Sequence, residues 1–396
     1  MAPSAPPAAL VVGGGVAGLA VALQLVPLGW RVTILESDLR QRRRGHGLLL
    51  PPAARRDLDA LGLAASLHGA PVHHFQLCRP DGRLLEAHAI PGSLGLLRRD
   101  LVGALVRALP AGVELRCGRG RGLVTAADGR QGLVTDQGDI LTADLIVAAD
   151  GVGSPCRRAL FPAATLTPER VSELVFDLPA AELAPELAGI CRKFHDPAAG
   201  LAIGLVPSGR RRLVLYAQIA TARHRLPAHA SASALVRHHF CGWNPWLERL
   251  LDRLPGTAGH RWHTTDLDPL PQLHGGRVVL VGDAAHPLLP FTSQGVPTAL
   301  ADAACLGEEL AALDATAGAA LAAALPAALA RYSRRRLLHL RPLLAEGRRL
   351  QEHFLSGNQR AAEPCLPLVG FQPAPTGVAL GAIPRARAAM AAAPLP

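Results

Sequence analysis

The stretch LVVGGGVAGLAVALQLVPLGWRVTILE, residues 10–36, decides the fold. Its first residues, 10–12, form a short apolar run typical of a buried strand, and a glycine-rich turn follows directly. An apolar helix is expected over 16–28 and a second strand over 31–35, with Glu36 directly after it. This acid stands ~20 residues beyond the turn, where the dinucleotide-binding fingerprint requires one. The stretch therefore predicts a βαβ unit that binds a dinucleotide.

The glycines of this turn have the spacing G-x-G-x-x-G, and each has its own physical role. Gly13 permits the tight turn, Gly15 lets the backbone approach a pyrophosphate, and Gly18 allows the helix to pack closely on the strand. The helix N-terminus offers free N–H groups and a partial positive charge to the phosphates, and Glu36 can accept from both ribose hydroxyls. The residues predicted to bind the dinucleotide here are Gly13, Gly15, Val16, Ala17, Gly18, Glu36 and Ser37.

The same stretch is apolar enough to suggest a membrane-spanning helix, but such a helix needs ~20 apolar residues without breaks. Pro27 and Gly29 interrupt the run, so no membrane span is expected. A signal peptide is disfavoured as well, because no basic segment or cleavage site precedes the stretch. An apolar βαβ unit without a bound nucleotide is the alternative.

The length of 396 residues and the hydrophobic content of 49% allow a substantial core and about two domains. The seven cysteines are scattered singly, without any C-x-x-C pair. This usage argues against a zinc site or a disulfide framework and favours a reducing compartment. We therefore expect a cytoplasmic protein without a metal centre.

The formal net charge of +10 would suit a nucleic-acid partner, yet the composition argues against one. Lys193 is the only lysine, so nearly all the positive charge is arginine. Arginine runs at 42–44, 210–212 and 334–336 are dispersed along the chain, and only two tyrosines are available for base stacking. We expect no nucleic-acid partner. The first run is either a solvated turn or a contact with the phosphates of a bound nucleotide, and Arg43 is the candidate for that contact.

Buried-strand patterns return at 144–151 and 277–283, far from the first βαβ unit. Between them, short strands flank a basic turn, which indicates a different kind of layer. The fold class predicted is α/β: a Rossmann-like nucleotide-binding domain with an inserted β-rich substrate domain and C-terminal helices. The predicted boundaries are 1–71, 97–159 and 274–330 for the nucleotide-binding domain, 72–96 and 160–273 for the substrate domain, 331–356 for a C-terminal helix and 357–396 for an Ala/Pro-rich tail.

Two further motifs follow the glycine-rich turn in a fixed order. One is DLIVAADGVGSPCR at 144–157, and the other is VGDAAHPLLPFTSQGVPTALADA at 281–303. With G-x-G-x-x-G and the sequence Arg98-x-Asp100-Leu101, they resemble the FAD-dependent aromatic-hydroxylase family, the group A flavin monooxygenases. The resemblance covers most of the chain and implies that the bound dinucleotide is FAD.

The resemblance also implies roles for single residues. Arg98 matches an arginine that contacts FAD, and Asp150 with Gly151 matches a motif linked to FAD and NAD(P)H binding. Pro290 matches the proline that lines the pocket where oxygen adds to flavin C4a. Gly47 belongs to a loop expected near the flavin.

Elementary physical chemistry supports the last motif. Asp283 follows a predicted strand, which places its carboxylate at the edge of the sheet where α/β proteins bind ligands, within reach of a ribityl hydroxyl. The amides of Gly295 and Val296 begin a helix whose N-terminus would stabilise the negative charge of reduced flavin at N1 and C2. Where the family usually has GQGxN, this sequence has SQGVP at 293–297. Pro297, at the last position, removes one N–H donor.

The substrate pocket is predicted from three side chains. Tyr216 and Gln218 share one face of a strand, because residues i and i+2 point the same way, and His46 lies in the loop expected near the flavin. Simpler interpretations stay open, with Tyr216 as a core side chain and His46 as an exposed loop residue. His286 is expected to position its loop rather than to act as an acid or base.

These expectations describe an enzyme in which FAD is reduced by NADPH or NADH. The resemblance implies that the reduced flavin binds O2 as a C4a-hydroperoxide and transfers one oxygen atom to a small organic substrate, aromatic or polyketide-like. The expected partners are that small molecule and O2, and a homodimer is left open. The alternatives are a related flavin enzyme that does not hydroxylate, halogenase-like or reductase-like, and a flavoprotein without enzymatic activity.

Overall fold

The computed structural model describes residues 5–39, 47–125, 130–179, 184–209, 211–227, 229–313 and 318–357. Two residues of the predicted site, Arg43 and His46, lie outside this description, as does the chain beyond residue 357. The strands are β1 Ala8–Val12, β2 Arg31–Glu36, β3 Gly47–Leu50, β4 Ala70–Cys78, β5 Leu84–Leu97, β6 Glu114–Cys117, β7 Gly120–Thr125, β8 Gln131–Thr135, β9 Ile140–Thr142, β10 Leu145–Ala148, β11 Val171–Pro179, β12 Ile190–Asp196, β13 Leu201–Pro207, β14 Arg212–Ala220, β15 Gly259–His263, β16 His274–Gly275 and β17 Val278–Leu280. The helices are α1 Val16–Leu25, α2 Pro52–Ala60, α3 Arg98–Ala108, α4 Pro155–Leu160, α5 Ala232–Phe240, α6 Pro245–Leu251, α7 Gly295–Ala311 and α8 Gly318–Ser356.

The first sheet has six strands in the order β16-β17-β10-β1-β2-β6, parallel except for β16. Its central strands are buried on both faces, which explains why β1 has a continuous apolar sequence rather than an alternating one. The parallel strands β1, β2, β10 and β17 end at one edge of the sheet. At or just beyond these ends stand Gly13, Glu36, Asp150 and Asp283.

The second sheet has eight strands in the order β15-β11-β14-β13-β12-β4-β5-β3. Its two faces differ, because alternate residues of each strand point to opposite sides. On β14, Leu213 and Leu215 pack with α5 and α6, whereas Tyr216 and Gln218 lie on the opposite face. That opposite face meets Leu289 and neighbouring residues from the chain after β17. We call it the inner face.

The C-terminal helix α8 ties the first sheet to α7. Its Tyr332 hydroxyl donates to the carbonyl of Leu280 in β17 at 3.0 Å, and its Ser333 hydroxyl accepts from the backbone N–H of Leu273 at 2.9 Å. The C-terminal helix expected at 331–356 is part of a longer one, because α8 is a single helix of 39 residues that continues to Ser356 with two prolines inside it.

The remaining strands belong to different layers. Strand β5 runs directly into α3 at Arg98 without a loop. Strands β6 and β10 join the six-stranded sheet, while β7, β8 and β9 form a small third sheet. The domain boundaries themselves stay a prediction. None of the helices described is long and apolar enough to cross a bilayer, and the described residues contain no cluster suited to a metal ion.

Candidate active site

At two glycines of the G-x-G-x-x-G motif, the surrounding backbone leaves no room for a side chain. Gly13 has φ of +106°, and a Cβ there would lie 2.2 Å from the carbonyl oxygen of Ala149, which follows β10. A Cβ on Gly18 would lie 2.0 Å from the carbonyl oxygen of Gly13. The turn between β1 and α1 can therefore form only when both positions lack a side chain.

Gly15 is different, because its surroundings within the protein are open. Its backbone is extended, with φ of −77°, and the nearest atom to an added Cβ is a guanidinium nitrogen of Arg98 at 3.7 Å. A recess thus lies beside the first amides of α1 and a cationic side chain, which is the environment that binds phosphate. The open space over Gly15 fits the pyrophosphate of FAD.

Glu36 closes this recess at the end of β2. One carboxylate oxygen accepts from the backbone N–H of Gly14 at 2.6 Å, and the other accepts from the N–H of Asp38 at 2.8 Å and the hydroxyl of Ser37 at 3.1 Å. A carboxylate has about four lone-pair positions, so one remains for a ribose hydroxyl. Glu36 therefore orders the turn in addition to any contact with the nucleotide.

Asp150 stands beyond β10 with one carboxylate oxygen unused. Its Oδ2 accepts from the N–H of Cys156 at 3.2 Å, whereas its buried Oδ1 has no partner among the described residues. A buried acceptor without a donor calls for a ligand or water. Arg157 stabilises the same edge, since it donates to the backbone carbonyls of Asp283 at 3.1 Å and Ala284 at 2.9 Å and to that of Val152.

Asp283 lies beyond β17 and its side chain reaches the open recess. Desolvation on the protein side raises the pKa of this carboxyl, while His286 and Arg98 act in the opposite direction. Arg98 thus lies close to both Gly15 and Asp283. The arrangement fits a neutral polyol such as a ribityl chain next to Asp283 and an anion next to Arg98.

Asp302 forms a buried hub that sequence reasoning missed. Its Oδ2 accepts from the N–H of Gly282 at 2.7 Å and pairs with Nε2 of His286 at 2.6 Å, and its Oδ1 accepts from Arg336 at 2.6 Å. Burial acts to raise the pKa of Asp302, but His286 and Arg336 outweigh it and the pKa lies below its ordinary value. The hub holds the loop of Asp283 against α7 and α8. From sequence, Asp302 could be recognised only as an acid within the motif at 281–303.

The N-terminus of α7 opens onto the same edge. Its first intrahelical bond runs from the N–H of Thr298 to the carbonyl of Gln294 at 3.0 Å, so the amides of Gly295 and Val296 precede it and are free by geometry. Pro297 offers no N–H, and a Cβ on Gly295 would meet no described atom within 4 Å. The two amides therefore lack an intrahelical partner at the positive end of a 17-residue helix, and the side-chain position of Gly295 is open.

A glycine brings the three elements together. Gly282 has φ of +58°, and its added Cβ would lie 2.8 Å from Cβ of Ala17 in α1 and 3.6 Å from Cβ of Ala299 in α7. The ends of α1, β17 and α7 thus converge on one recess. The predicted cofactor residues along this edge are Gly13, Gly15, Val16, Ala17, Gly18, Glu36, Ser37, Arg98, Asp150, Gly151, Asp283, Gly295 and Val296.

Gly47 is the exception among the predicted cofactor residues. It begins β3, at the end of the eight-stranded sheet, and an added Cβ would overlap the side chain of Val214 in β14. Its need for glycine is therefore explained by packing on the inner face. A contact between Gly47 and FAD stays a prediction.

The inner face carries a polar row that includes one of the predicted pocket residues. Lys193 donates from Nζ to Oε1 of Gln218 at 2.9 Å, and Nε2 of Gln218 donates to Glu173 at 2.9 Å. All three side chains are at least nine-tenths buried. Both ends of the Gln218 amide are used within the protein, so a direct contact between Gln218 and substrate stays a prediction. Tyr216 lies on the same face and is half-buried.

The turn that contains Pro290 connects this polar row to the flavin edge. Phe291 packs with its ring centroid 5.9 Å from Nζ of Lys193 and 5.7 Å from the ring of Phe354. His195 stacks on Phe354 at 5.4 Å, and its buried Nε2 has no partner among the described residues. Sequence reasoning did not place Lys193 or His195 here. The only indication in the sequence was their spacing: Lys193 and His195 are two residues apart in a strand, so their side chains point to the same face.

Acidification should destabilise the fold through His195. Burial, together with Lys193 and His353, lowers the pKa of His195 from 6.5 to about 3. Because the folded state binds this proton more weakly than the unfolded chain, stability is complete above pH 6.5 and falls as the pH drops below it. At pH 5.5 the loss is about 1 kcal/mol. Urea unfolding at pH 7.5 and 5.5 measures it.

The control for this loss is His195→Phe, which keeps a ring beside Phe354 and removes the titration. The difference in unfolding free energy between the two pH values should be about 1 kcal/mol smaller in the variant. An equal pH dependence in the two proteins would show that His195 does not titrate in this way.

The comparisons with known proteins agree with this geometry. The model of a family described as FAD binding domain matches residues 7–345. A 3-amino-4-hydroxybenzoate 2-monooxygenase of Streptomyces platensis is 30% identical over 94% of this chain and 98% of its own length. A 3-hydroxybenzoate 6-hydroxylase of Polaromonas naphthalenivorans is 30% identical over 76% of this chain and 78% of its own. HpxO of Klebsiella pneumoniae, solved with FAD and uric acid, has a TM-score of 0.76 at 20% identity over 90% of both chains and shares the fold.

The matched family and the named relatives are FAD-dependent oxidoreductases, and the recess at the carboxyl edge of the six-stranded sheet fits the cofactor. The chain belongs to the FAD-binding-domain family, among the FAD-dependent monooxygenases and aromatic hydroxylases. The resemblance drawn from the three motifs, the α/β fold class and the enzymatic monooxygenase assignment are therefore confirmed.

Proposed function

We propose that the protein is a monooxygenase driven by NADH or NADPH that hydroxylates a small aromatic compound, including polyketide-like rings. The observation that carries the proposal is the single turn Pro290–Thr292, which lies between the FAD recess and the polar row of the inner face. The proposal includes the expected route, in which one oxygen atom of O2 reaches the substrate by way of a flavin C4a-hydroperoxide. FAD supplies the redox chemistry, and the protein supplies position and electrostatics.

The residues of the recess would hold and orient the cofactor. The amides at the start of α1 and Arg98 would bind the pyrophosphate, and Asp283 would accept from the ribityl chain. The free amides of Gly295 and Val296 would stabilise negative charge at the flavin N1/C2 edge, because they lie at the positive end of α7. Glu36 would position the adenosine ribose.

The inner face would supply the substrate side. Tyr216 is half-buried there, and Phe291 supplies an apolar surface that packs against the same face. The relatives in the comparison are named for aromatic acids, 3-amino-4-hydroxybenzoate and 3-hydroxybenzoate. A small aromatic molecule between Pro290 and Tyr216 would be shielded from water, which protects a reactive oxygen donor from wasteful breakdown.

The direct test uses the purified yellow protein. NADH and NADPH oxidation is measured with and without a panel of hydroxybenzoates, aminobenzoates and larger phenolic rings, together with hydrogen peroxide release and product mass. The proposal expects at least one compound to accelerate oxidation and to gain one oxygen atom. Substrate-stimulated oxidation that yields only peroxide or a dehydrogenated or halogenated product would contradict it.

Restoring an amide at position 297 should change the flavin potential. Pro297→Asn adds an N–H donor in the first turn of α7, near the proposed N1/C2 contact, and so favours the anionic reduced flavin. We expect a folded, FAD-containing protein whose reduction potential is higher by about 10–30 mV, equivalent to about 0.5–1.4 kcal/mol for two electrons. Dye equilibration under anaerobic conditions measures the potential.

Pro297→Ala is the matched control, since it restores the same N–H without a polar side chain. Both variants should shift the potential alike, whereas Gly295→Pro removes a donor and should lower FAD affinity. If neither Pro297 variant moves the potential and Gly295→Pro is harmless, the N-terminus of α7 does not contact the flavin ring.

A further inference from the structure

A second cavity lies on the outer face of the eight-stranded sheet, away from the inner face and its polar row. It has a volume of about 670 Å³, within the range of small-molecule sites. Strand β12 forms its floor with Arg192 and Phe194, whereas Lys193 and His195 of the same strand point to the inner face. The start of α6 and the turn between β4 and β5 complete the walls.

The cavity is lined by an arginine whose charge is not paired among the described residues. Arg192 donates through Nε to Gln76 at 3.0 Å, but in the described part of the chain its guanidinium forms no ion pair with a carboxylate. The indole nitrogen of Trp246 is closed off from solvent, so Trp246 presents only its ring to the cavity. The Arg192 guanidinium is therefore the group that an anionic ligand would bind.

The cavity also has an aromatic wall that a flat molecule could contact. The guanidinium carbon of Arg192 lies 5.7 Å from the centre of the Trp246 ring, and Phe194 lies 6.2 Å from the same ring. The distance between Arg192 and Trp246 is within the range of a cation–π contact, and a guanidinium can bind a carboxylate through two parallel hydrogen bonds.

The charge of the lining favours an anion. Arg192 and Arg249 face a single carboxylate, Asp81, which accepts from the backbone N–H of Arg83 and so holds its own turn. Arg249 forms a long, exposed ion pair with Glu186 at 3.5 Å, which leaves its guanidinium available at the rim. A ligand with a carboxylate for Arg192 and a flat apolar body for Trp246 satisfies every one of these features.

We propose that this cavity is a binding site for a small planar aromatic carboxylate, separate from the site of hydroxylation. The inference does not depend on the proposed reaction, because none of its residues lies at the FAD recess. The carboxylate of the ligand pairs with the Arg192 guanidinium, and the ring of the ligand lies against Trp246.

Benzoate is the probe that tests this site on the FAD-loaded protein. Isothermal calorimetry counts all bound benzoate, while perturbation of the flavin absorbance reports only the molecule next to the flavin. We expect calorimetry to detect a binding event that the flavin spectrum does not follow. Arg192→Gln should weaken this event at least about tenfold, and Trp246→Leu, which removes the aromatic surface against the ligand, about fivefold.

Arg237→Gln is the matched control, since it removes one arginine charge from the same face at an exposed ion pair with Asp252. This control should bind benzoate as the unaltered protein does, and in all three variants the flavin response should keep its midpoint. Calorimetry that coincides with the flavin response, or an unchanged isotherm in both Arg192→Gln and Trp246→Leu, overturns the proposal. Acetate that binds as tightly as benzoate would also overturn it, because the site would then recognise any small anion.

Discussion

Gly15→Val is expected to give a folded protein that no longer binds FAD. The space above Gly15 is open within the chain, and the only neighbour of an added Cβ is the flexible end of Arg98 at 3.7 Å. The fold should therefore lose no more than about 1 kcal/mol, the usual effect of an unfavourable residue at a helix N-cap. The valine would occupy the position of the pyrophosphate, so we expect flavin content after purification to fall by more than tenfold.

Two glycines provide the controls for this result. Gly18→Val should fail to fold, because its Cβ would lie 2.0 Å from a backbone oxygen that cannot move aside. Gly112→Val should be neutral for both stability and FAD, since an added Cβ meets nothing within 4 Å in a loop far from the recess. Absorbance at 450 nm and thermal unfolding separate the three cases. Full flavin occupancy in Gly15→Val would refute the assignment of the pyrophosphate to this turn.

Asp302→Ala is expected to destabilise the protein by about 3–5 kcal/mol, the cost of leaving a buried charge without its partner. Arg336 and His286 are 6% and 3% exposed, so water cannot replace the lost carboxylate. The loop of Asp283 also loses its anchor at Gly282, and FAD binding should weaken together with stability. Urea unfolding of the FAD-free protein followed by circular dichroism measures the first effect.

The double variant Asp302→Leu with Arg336→Met tests the cause of this loss. Removing both charges should cost less than the sum of the two single substitutions, because no unpaired ion remains. The pH dependence has a definite sign. The pKa of Asp302 lies below 3.8, so its contribution is complete above that pH and is lost as the pH falls through the lower folded value. If the losses of unfolding free energy in the two single variants add up to the loss in the double variant, Asp302 and Arg336 are not energetically coupled.

Local motifs could be predicted from sequence because their chemistry depends on neighbours along the chain. The spacing of Gly13, Gly15 and Gly18 encodes one turn, and the amides of Gly295 and Val296 follow from a helix start. The hub at Asp302 could not be predicted, since Arg336 comes from a different helix, 34 residues away. Its partners are chosen by how α7 and α8 pack, which no spacing encodes.

The inner face shows the same limit. Alternation correctly predicts that Tyr216 and Gln218 share a face, because the rule is local. It does not show that Gln218 is held between Lys193 and Glu173, which lie on two other strands of the sheet. Strand order depends on the whole topology, so a residue that looked free to contact substrate is found to bridge two buried ionisable side chains.

Hydrogen bonds from α8 support the edge of the six-stranded sheet where the flavin is proposed to bind, so the flavin-binding part of the chain cannot be separated from its last helix. Tyr332, Ser333 and Arg336 hold β17, the segment before it and the Asp302 hub, although the fingerprint that first suggests the nucleotide fold lies at the other end of the chain. A shortened protein that kept every glycine of that fingerprint but stopped before Arg336 would lack the support of its own cofactor edge. For transplantation or fusion, the smallest flavin-binding unit therefore extends at least to the middle of the last helix.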